Sequence, residues 1–270
     1  MYEEFYGLAE APFNITPDPR YLFFSRFHRD AYEHVLFGLQ RRRGFIQLTG
    51  EVGSGKTTLC RAILSELGPE WSTALVLNPM MTGIQLLRTL LRELGLDGRG
   101  NDRIRLLERL NDHLLERATA GEDVAVFIDE AQDMPGELLE EVRLLSNLET
   151  DDRKLLQIVL VGQPELRDVL GRPQLRQLAQ RVLVRSHLGA LDRHETEAYI
   201  RHRLAVAGST GRPTFTPAAI RAVHRWAGGI PRRINALCDG ALLAGWVDGR
   251  DSIGRREVRR SVQSLHGSDR

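Results

Sequence analysis

Two patterns of apolar residues alternate along the first two thirds of the chain. The stretches 45–49, 73–77, 124–128, 155–161 and 182–188 are short and largely apolar, and each predicts a strand. A strand that is apolar on nearly every residue, as at Val124–Ile128, suits a parallel sheet covered on both faces. Between the strands, apolar residues return every three or four positions, which predicts amphipathic helices. Ala31, Val35, Leu36 and Leu39 mark one such helix, and Ile84, Leu87, Leu91 and Leu94 another. Leu106, Leu110 and Leu114 mark a third, and Leu138, Val142 and Leu145 a fourth. Near the start, Pro12, Pro17 and Pro19 block a helix.

After Ala190 no strong strand follows, and helices are predicted over 192–207, 217–227, 231–245 and 254–265. Asp192 with Glu195 has capping-box spacing, and Thr216 precedes a proline at the first helical position. Strands alternating with helices, followed by helices only, predict a parallel-sheet α/β domain and then a small helical one. The boundaries expected are 1–40 for an N-terminal arm and first helix packed on the core, 41–190 for the core and 191–270 for a helical lid.

Composition adds limits. At 270 residues, 42% hydrophobic and 27% charged, the chain is ordinary globular material, not disordered or fibrous. Basic and acidic residues nearly cancel (37 − 36 = +1), so total charge demands neither nucleic acid nor a membrane surface. The charge is unevenly divided: residues 1–191 carry 23 basic and 28 acidic side chains, and residues 192–270 carry 14 and 8. Only Lys56 and Lys154 are lysines, against 35 arginines. No apolar run approaches the ~20 residues of a membrane span, and the acidic, aromatic start is no secretory signal. Cys60 and Cys238 form no CxxC pair, and the histidines show no ligand spacing. A cytoplasmic location is expected.

One motif stands out. Gly50-Glu51-Val52-Gly53-Ser54-Gly55-Lys56-Thr57, followed by Thr58, fits G-x-x-x-x-G-K-[ST] between an apolar strand and a helix. Its glycines let successive N–H groups converge on an anion, and the helix start adds its positive dipole end. Lys56 is expected on the β and γ phosphates of ATP, and the Thr57 hydroxyl on Mg²⁺. The run Val124–Ile128 ends in Asp129 and Glu130, which fall at the carboxyl edge of the sheet, where open α/β sheets bind ligands. Asp129 is expected to help hold Mg²⁺, and Glu130 to orient the attacking water. Gln163, after the fourth strand, is either a residue that positions this water or a turn residue before Pro164.

These features together resemble an AAA+ ATPase with Walker A and Walker B motifs: a P-loop NTPase αβα core with a parallel sheet, followed by an all-helical lid. More narrowly, Ala11-Pro12-Phe13, Thr16-Pro17-Asp18-Pro19, Phe127-Ile128-Asp129-Glu130-Ala131-Gln132, Val161-Gly162-Gln163-Pro164-Glu165-Leu166 and Gly229-Ile230-Pro231-Arg232 are similar to the general secretion pathway protein A (ExeA-like) family. The resemblance implies that Arg232 is a sensor arginine on the γ phosphate. It also implies that Arg181, with Arg176 as the competitor, is the arginine finger offered to a neighbouring subunit. Phe13–Tyr21 and His28-Arg29 either border the adenine or simply pack as an arm. The resemblance further implies a homo-oligomer, a hexamer among the options. An envelope or inner-membrane companion is the implied partner, in type II secretion, pilus or exopolysaccharide systems, which would place the chain at the inner face of the inner membrane. Secretion members of the family continue into a membrane helix and a periplasmic domain, so this chain is expected to be either the cytoplasmic part of a longer protein or a stand-alone relative. The alternative is a DNA-binding AAA+ ATPase of the transposition-regulator type, for which the basic C-terminal part and Arg41-Arg42-Arg43 are the supporting features.

Overall fold

The computed structural model describes residues 1–16, 18–150 and 153–267. Pro17 of the TPDP segment and the chain end 268–270 lie outside the described residues. The chain divides into two compact units. One comprises Phe27–Gly50 and Leu59–Leu188, and the other Met1–Arg26, Glu51–Thr58 and the chain from Gly189 onward.

Element order begins with a short helix α1 (Tyr2–Tyr6) and helix α2 (Arg26–Gln40). The α/β stretch follows as β1 (Phe45–Gly50), α3 (Lys56–Glu66), β2 (Trp71–Val76), α4 (Gly83–Glu93), α5 (Arg103–Thr119) and β3 (Asp123–Ile128). It continues as α6 (Gly136–Leu145), β4 (Leu156–Gly162), α7 (Glu165–Leu170), α8 (Arg176–Arg181) and β5 (Val182–Leu188). All five expected strands are present. They form one sheet in the order β2-β3-β4-β1-β5, every neighbouring pair parallel. β1, β3 and β4 are buried over nearly their whole length, including the polar Gln47 and Thr49 of β1 and Gln157 of β4. Leu87 and Leu90 of α4, Leu110 of α5 and Leu139 of α6 share one core with Val126, Ile128, Ile158 and Leu160 of the sheet. The helix starts are locally fixed: Thr82 and Gln85 make a reciprocal cap on α4, and the Asp102 carboxylate accepts from the first-turn amides of α5.

The second unit holds α9 (Arg193–Val206), α10 (Pro217–Ala227), α11 (Pro231–Val247) and α12 (Arg255–Gly267). These are the four helices read from the sequence, and the Asp192–Glu195 capping box and the Thr216 cap both form. Two short strands, β6 (Thr214–Phe215) and β7 (Ser252–Ile253), pair in parallel where only helices were expected. At two residues each they carry no readable alternation.

The N-terminal arm and first helix were expected as one segment, 1–40. It divides after Arg26, and its first part belongs with the C-terminal helices. The cause is packing. Tyr2, Tyr6, Leu8 and Phe13 share a core with Ile200, Val223, Ile234, Cys238 and Leu242. The Tyr6 hydroxyl donates to the Leu242 carbonyl at 3.0 Å, and Tyr2 donates to Asp239. Buried Arg203 donates to the carbonyls of Pro12 and Asn14, and its guanidinium lies 4.4 Å from the centre of the Tyr21 ring. Phe13 is therefore part of a helical core. Only the stretch from Phe27 belongs to the sheet unit.

Candidate functional site

The phosphate loop Glu51–Thr58 groups with the helical unit. Gly53 and Gly55 take left-handed φ values of 78° and 102°, a conformation in which a side chain is strained. The Ser54 N–H donates back to the Glu51 carbonyl at 3.0 Å, closing a turn, and α3 begins at Lys56. The loop thus opens onto the amino end of an eleven-residue helix, where the helix dipole favours an anion. Lys56 is only 6% exposed, and its Nζ donates to the Glu51 carbonyl at 3.2 Å, along the loop itself.

Arg232 meets this loop through its backbone. Its N–H, in the first turn of α11, donates to the Gly53 carbonyl at 3.1 Å. A Cβ built on Gly53 would lie 2.3 Å from the Arg232 Cβ, so only glycine fits there. The Arg232 side chain is exposed. The motif Gly229-Ile230-Pro231-Arg232 accounts for this placement. The Leu191 N–H donates to the Gly229 carbonyl at 2.9 Å, and Pro231 occupies the first turn of the helix, where its missing N–H costs nothing.

The acidic pair lies in the sheet unit, at the end of β3. Asp129 is buried, and its carboxylate accepts from the Glu130 N–H at 2.9 Å. Glu130 adopts a left-handed backbone (φ 52°, ψ 37°), uncommon for a residue with a side chain. Such conformations persist where surroundings enforce them, and they cluster at functional positions. The Glu130 Oε2 accepts from Gln132 Nε2 at 2.8 Å and from Gln163 Nε2 at 3.4 Å. Gln132 also accepts from the Gln163 backbone N–H at 2.9 Å, so it links the ends of β3 and β4. Gln163 therefore reaches the acid with which the sequence grouped it. Gln132 was quoted in the sequence only as part of a family stretch. Its role depends on the backbone turn at Glu130, which spacing does not reveal.

The two candidate finger arginines differ in their surroundings. The Arg181 guanidinium donates to Ser146 Oγ at 2.8 Å and Asn147 Oδ1 at 2.6 Å, just past the end of α6. Arg176 is exposed, with no ion pair among the described residues.

Thr57 of the loop carries a hydroxyl and Asp129 at the end of β3 a carboxylate, each an oxygen donor of the kind a hard cation takes. Among the described residues no cluster of three or more His, Cys, Asp or Glu gathers. Mg²⁺ needs none, since one or two carboxylates with substrate phosphates and water usually complete its shell.

A family model described as an AAA domain matches residues 39–170. General secretion pathway protein A of Aeromonas hydrophila is 46% identical over 268 residues, 99% of this chain and 49% of that protein. The chain belongs to the general secretion pathway protein A family of AAA+ proteins. It spans about half the length of the relative it matches. Solved AAA+ structures agree in fold. Cdc6p of Pyrobaculum aerophilum superposes with a TM-score of 0.70 at 16% identity, over 97% of this chain and 70% of that one. The Aeropyrum pernix ORC2 protein, solved as ADPNP-ADP complexes, gives 0.66 at 20% identity, over 87% and 66%. The Thermotoga maritima RuvB branch migration motor gives 0.58 at 18% identity, over 88% and 69%. Among the described residues of this family member, no helix is long and apolar enough to cross a membrane.

Proposed function

We propose that the chain binds ATP with Mg²⁺ and hydrolyses it, as the nucleotide-binding core and helical lid of an oligomeric ATPase. The observation that carries this reading is the loop with Lys56 at the start of α3, whose Gly53 carbonyl is held by the first turn of α11. In this reading Gly50, Glu51, Val52, Gly53, Ser54, Gly55, Lys56, Thr57 and Thr58 hold the phosphates. Thr57 and Asp129 would hold Mg²⁺, which when bound neutralises charge on the β and γ oxygens.

Glu130 accepts a proton from the attacking water, oriented by the amides of Gln132 and Gln163. Arg232 contacts the γ phosphate from α11, so hydrolysis changes what α11 holds. An arginine from a neighbouring subunit stabilises charge on the transferring group, an effect worth roughly 10³–10⁵ in rate where measured. Arg176 fits that part better than Arg181, whose guanidinium is engaged just past α6.

The relative's name supports a part in a secretion pathway; in this reading the ATPase drives or gates assembly of a secretion, pilus or exopolysaccharide system from the cytoplasmic side, with an inner-membrane companion. ATP turnover measured against protein concentration, with and without duplex DNA, tests both parts. Turnover per chain that rises with concentration and ignores DNA fits this reading. DNA-stimulated turnover with steep salt dependence would instead favour a DNA-bound ATPase.

A further inference from the structure

β1 is the second strand from one edge of the sheet, yet two of its six residues, Gln47 and Thr49, are polar and buried. Standing two apart, they share one face of the strand. On β5 their partners in register are Arg185 and His187, which extend the polar face to the edge of the sheet. Leu170 and Gly171, with Ala179 of α8, help enclose a cavity of about 440 Å³ over this face, within the range of small-molecule sites.

Gln47, Arg167 and Arg185 of this cavity point to one chemistry. Gln47 is 3% exposed and lines the cavity, and its Nε2 has no hydrogen-bond partner. An amide left unsatisfied in this way costs free energy, so a ligand able to accept its hydrogen bond gains correspondingly. Arg167 spends one N–H on Thr49 Oγ1 at 3.2 Å, and Arg185 one on the Ala179 carbonyl at 3.0 Å. Each guanidinium carries five N–H donors in a planar fork suited to oxyanions. No carboxylate lines the cavity, and neither arginine forms an ion pair among the described residues. Thr49 Oγ1 is already taken up by Arg167, with His187 Nδ1 at 3.1 Å. The lining therefore offers donors and positive charge and lacks an anionic acceptor.

We propose that this cavity binds a small oxyanion, phosphate- or carboxylate-bearing, through Arg167, Arg185 and the Gln47 amide, as a site distinct from the phosphate loop. The class of ligand follows from two guanidinium groups and an unsatisfied buried amide N–H in a lining without a carboxylate, and it does not rest on the ATPase reading.

Calorimetric titration tests it. Inorganic phosphate and succinate are each titrated into the full chain carrying Lys56→Ala, so that the phosphate loop does not compete. One of the two should bind saturably, phosphate identifying a phosphate ester and succinate a carboxylate. Adding Arg185→Gln or Gln47→Leu should weaken that binding at least tenfold. Arg185 is exposed on an edge strand, so its variant keeps the test valid should Gln47→Leu fold poorly. Neither anion binding saturably, or equal affinity in the Arg185→Gln chain, would overturn the proposal. In the chain with Lys56 intact, Arg185→Gln should leave ATP affinity unchanged, which separates failure here from failure of the nucleotide site.

Discussion

The Arg232 N–H donates to the Gly53 carbonyl at 3.1 Å, and the Cβ of Arg232 leaves no room for a side chain on Gly53. The backbone of one residue thus fixes the loop, while its exposed side chain remains available to a nucleotide. Substitutions separate the two roles. Gly53→Ala must accept both a left-handed φ and the Arg232 clash, at about 1–3 kcal/mol of local strain. It should lower the melting temperature and abolish ATP binding. Arg232→Ala keeps the backbone bond and should melt like the parent, while turnover falls at least tenfold.

Gln132 bridges the ends of β3 and β4 and donates to Glu130 at 2.8 Å. A hydrogen bond to a charged group contributes about 1.5–3 kcal/mol, and each 1.36 kcal/mol of barrier is tenfold in rate. Gln132→Ala should cut kcat tenfold or more with little change in KM. Gln163→Ala, whose bond is the longer at 3.4 Å, should cut it less. A steady-state comparison of the two variants checks the order.

Arg181→Ala removes donors to Ser146 and Asn147 past the end of α6 and should cost about 1 kcal/mol of stability. Arg176→Ala should leave the melting temperature alone and abolish the dependence of turnover on protein concentration. Mixing either variant with Glu130→Gln chains locates the finger, because only a finger variant that keeps its own Glu130 is rescued by a partner supplying the arginine.

Buried His113 and half-buried His202 weaken the fold on acidification. Burial, with a neighbouring arginine, holds His113 and His202 below the ordinary imidazole value of 6.5. With the folded value lowered, the unfolded chain takes up protons first on acidification, and stability falls as pH drops through about 6.5. The slope is about 1.36 kcal/mol per pH unit for each proton at most. Denaturant melts between pH 7.5 and 5.5 should show this loss, and His113→Leu should flatten it.

Much of this was legible in the sequence, for identifiable reasons. Val124–Ile128 is apolar throughout, and Leu155–Val161 at all but Gln157, as a parallel sheet covered on both faces requires. The places of the loop 50–57 between β1 and α3, and of Asp129-Glu130 at the end of β3, were legible because the motifs fix residue type at fixed spacing beside apolar strands. Three features were not. The five-residue α1 is held by Tyr2 and Tyr6 against α11, far away in sequence. The part of Gln132 follows from the left-handed turn at Glu130, a backbone choice that its residue type disfavours. The surroundings of Arg181, placed ahead of Arg176 by the family resemblance, were not legible either, because only the tertiary fold shows that its guanidinium is engaged by Ser146 and Asn147.

The most direct measurement compares ATP binding and turnover in the parent, Lys56→Ala and Glu130→Gln chains at one protein concentration with Mg²⁺. The account predicts tight binding and turnover in the parent and lost binding in Lys56→Ala. It predicts retained binding with turnover reduced at least a hundredfold in Glu130→Gln. Turnover at the parental rate in Glu130→Gln, or undiminished ATP binding in Lys56→Ala, would contradict it.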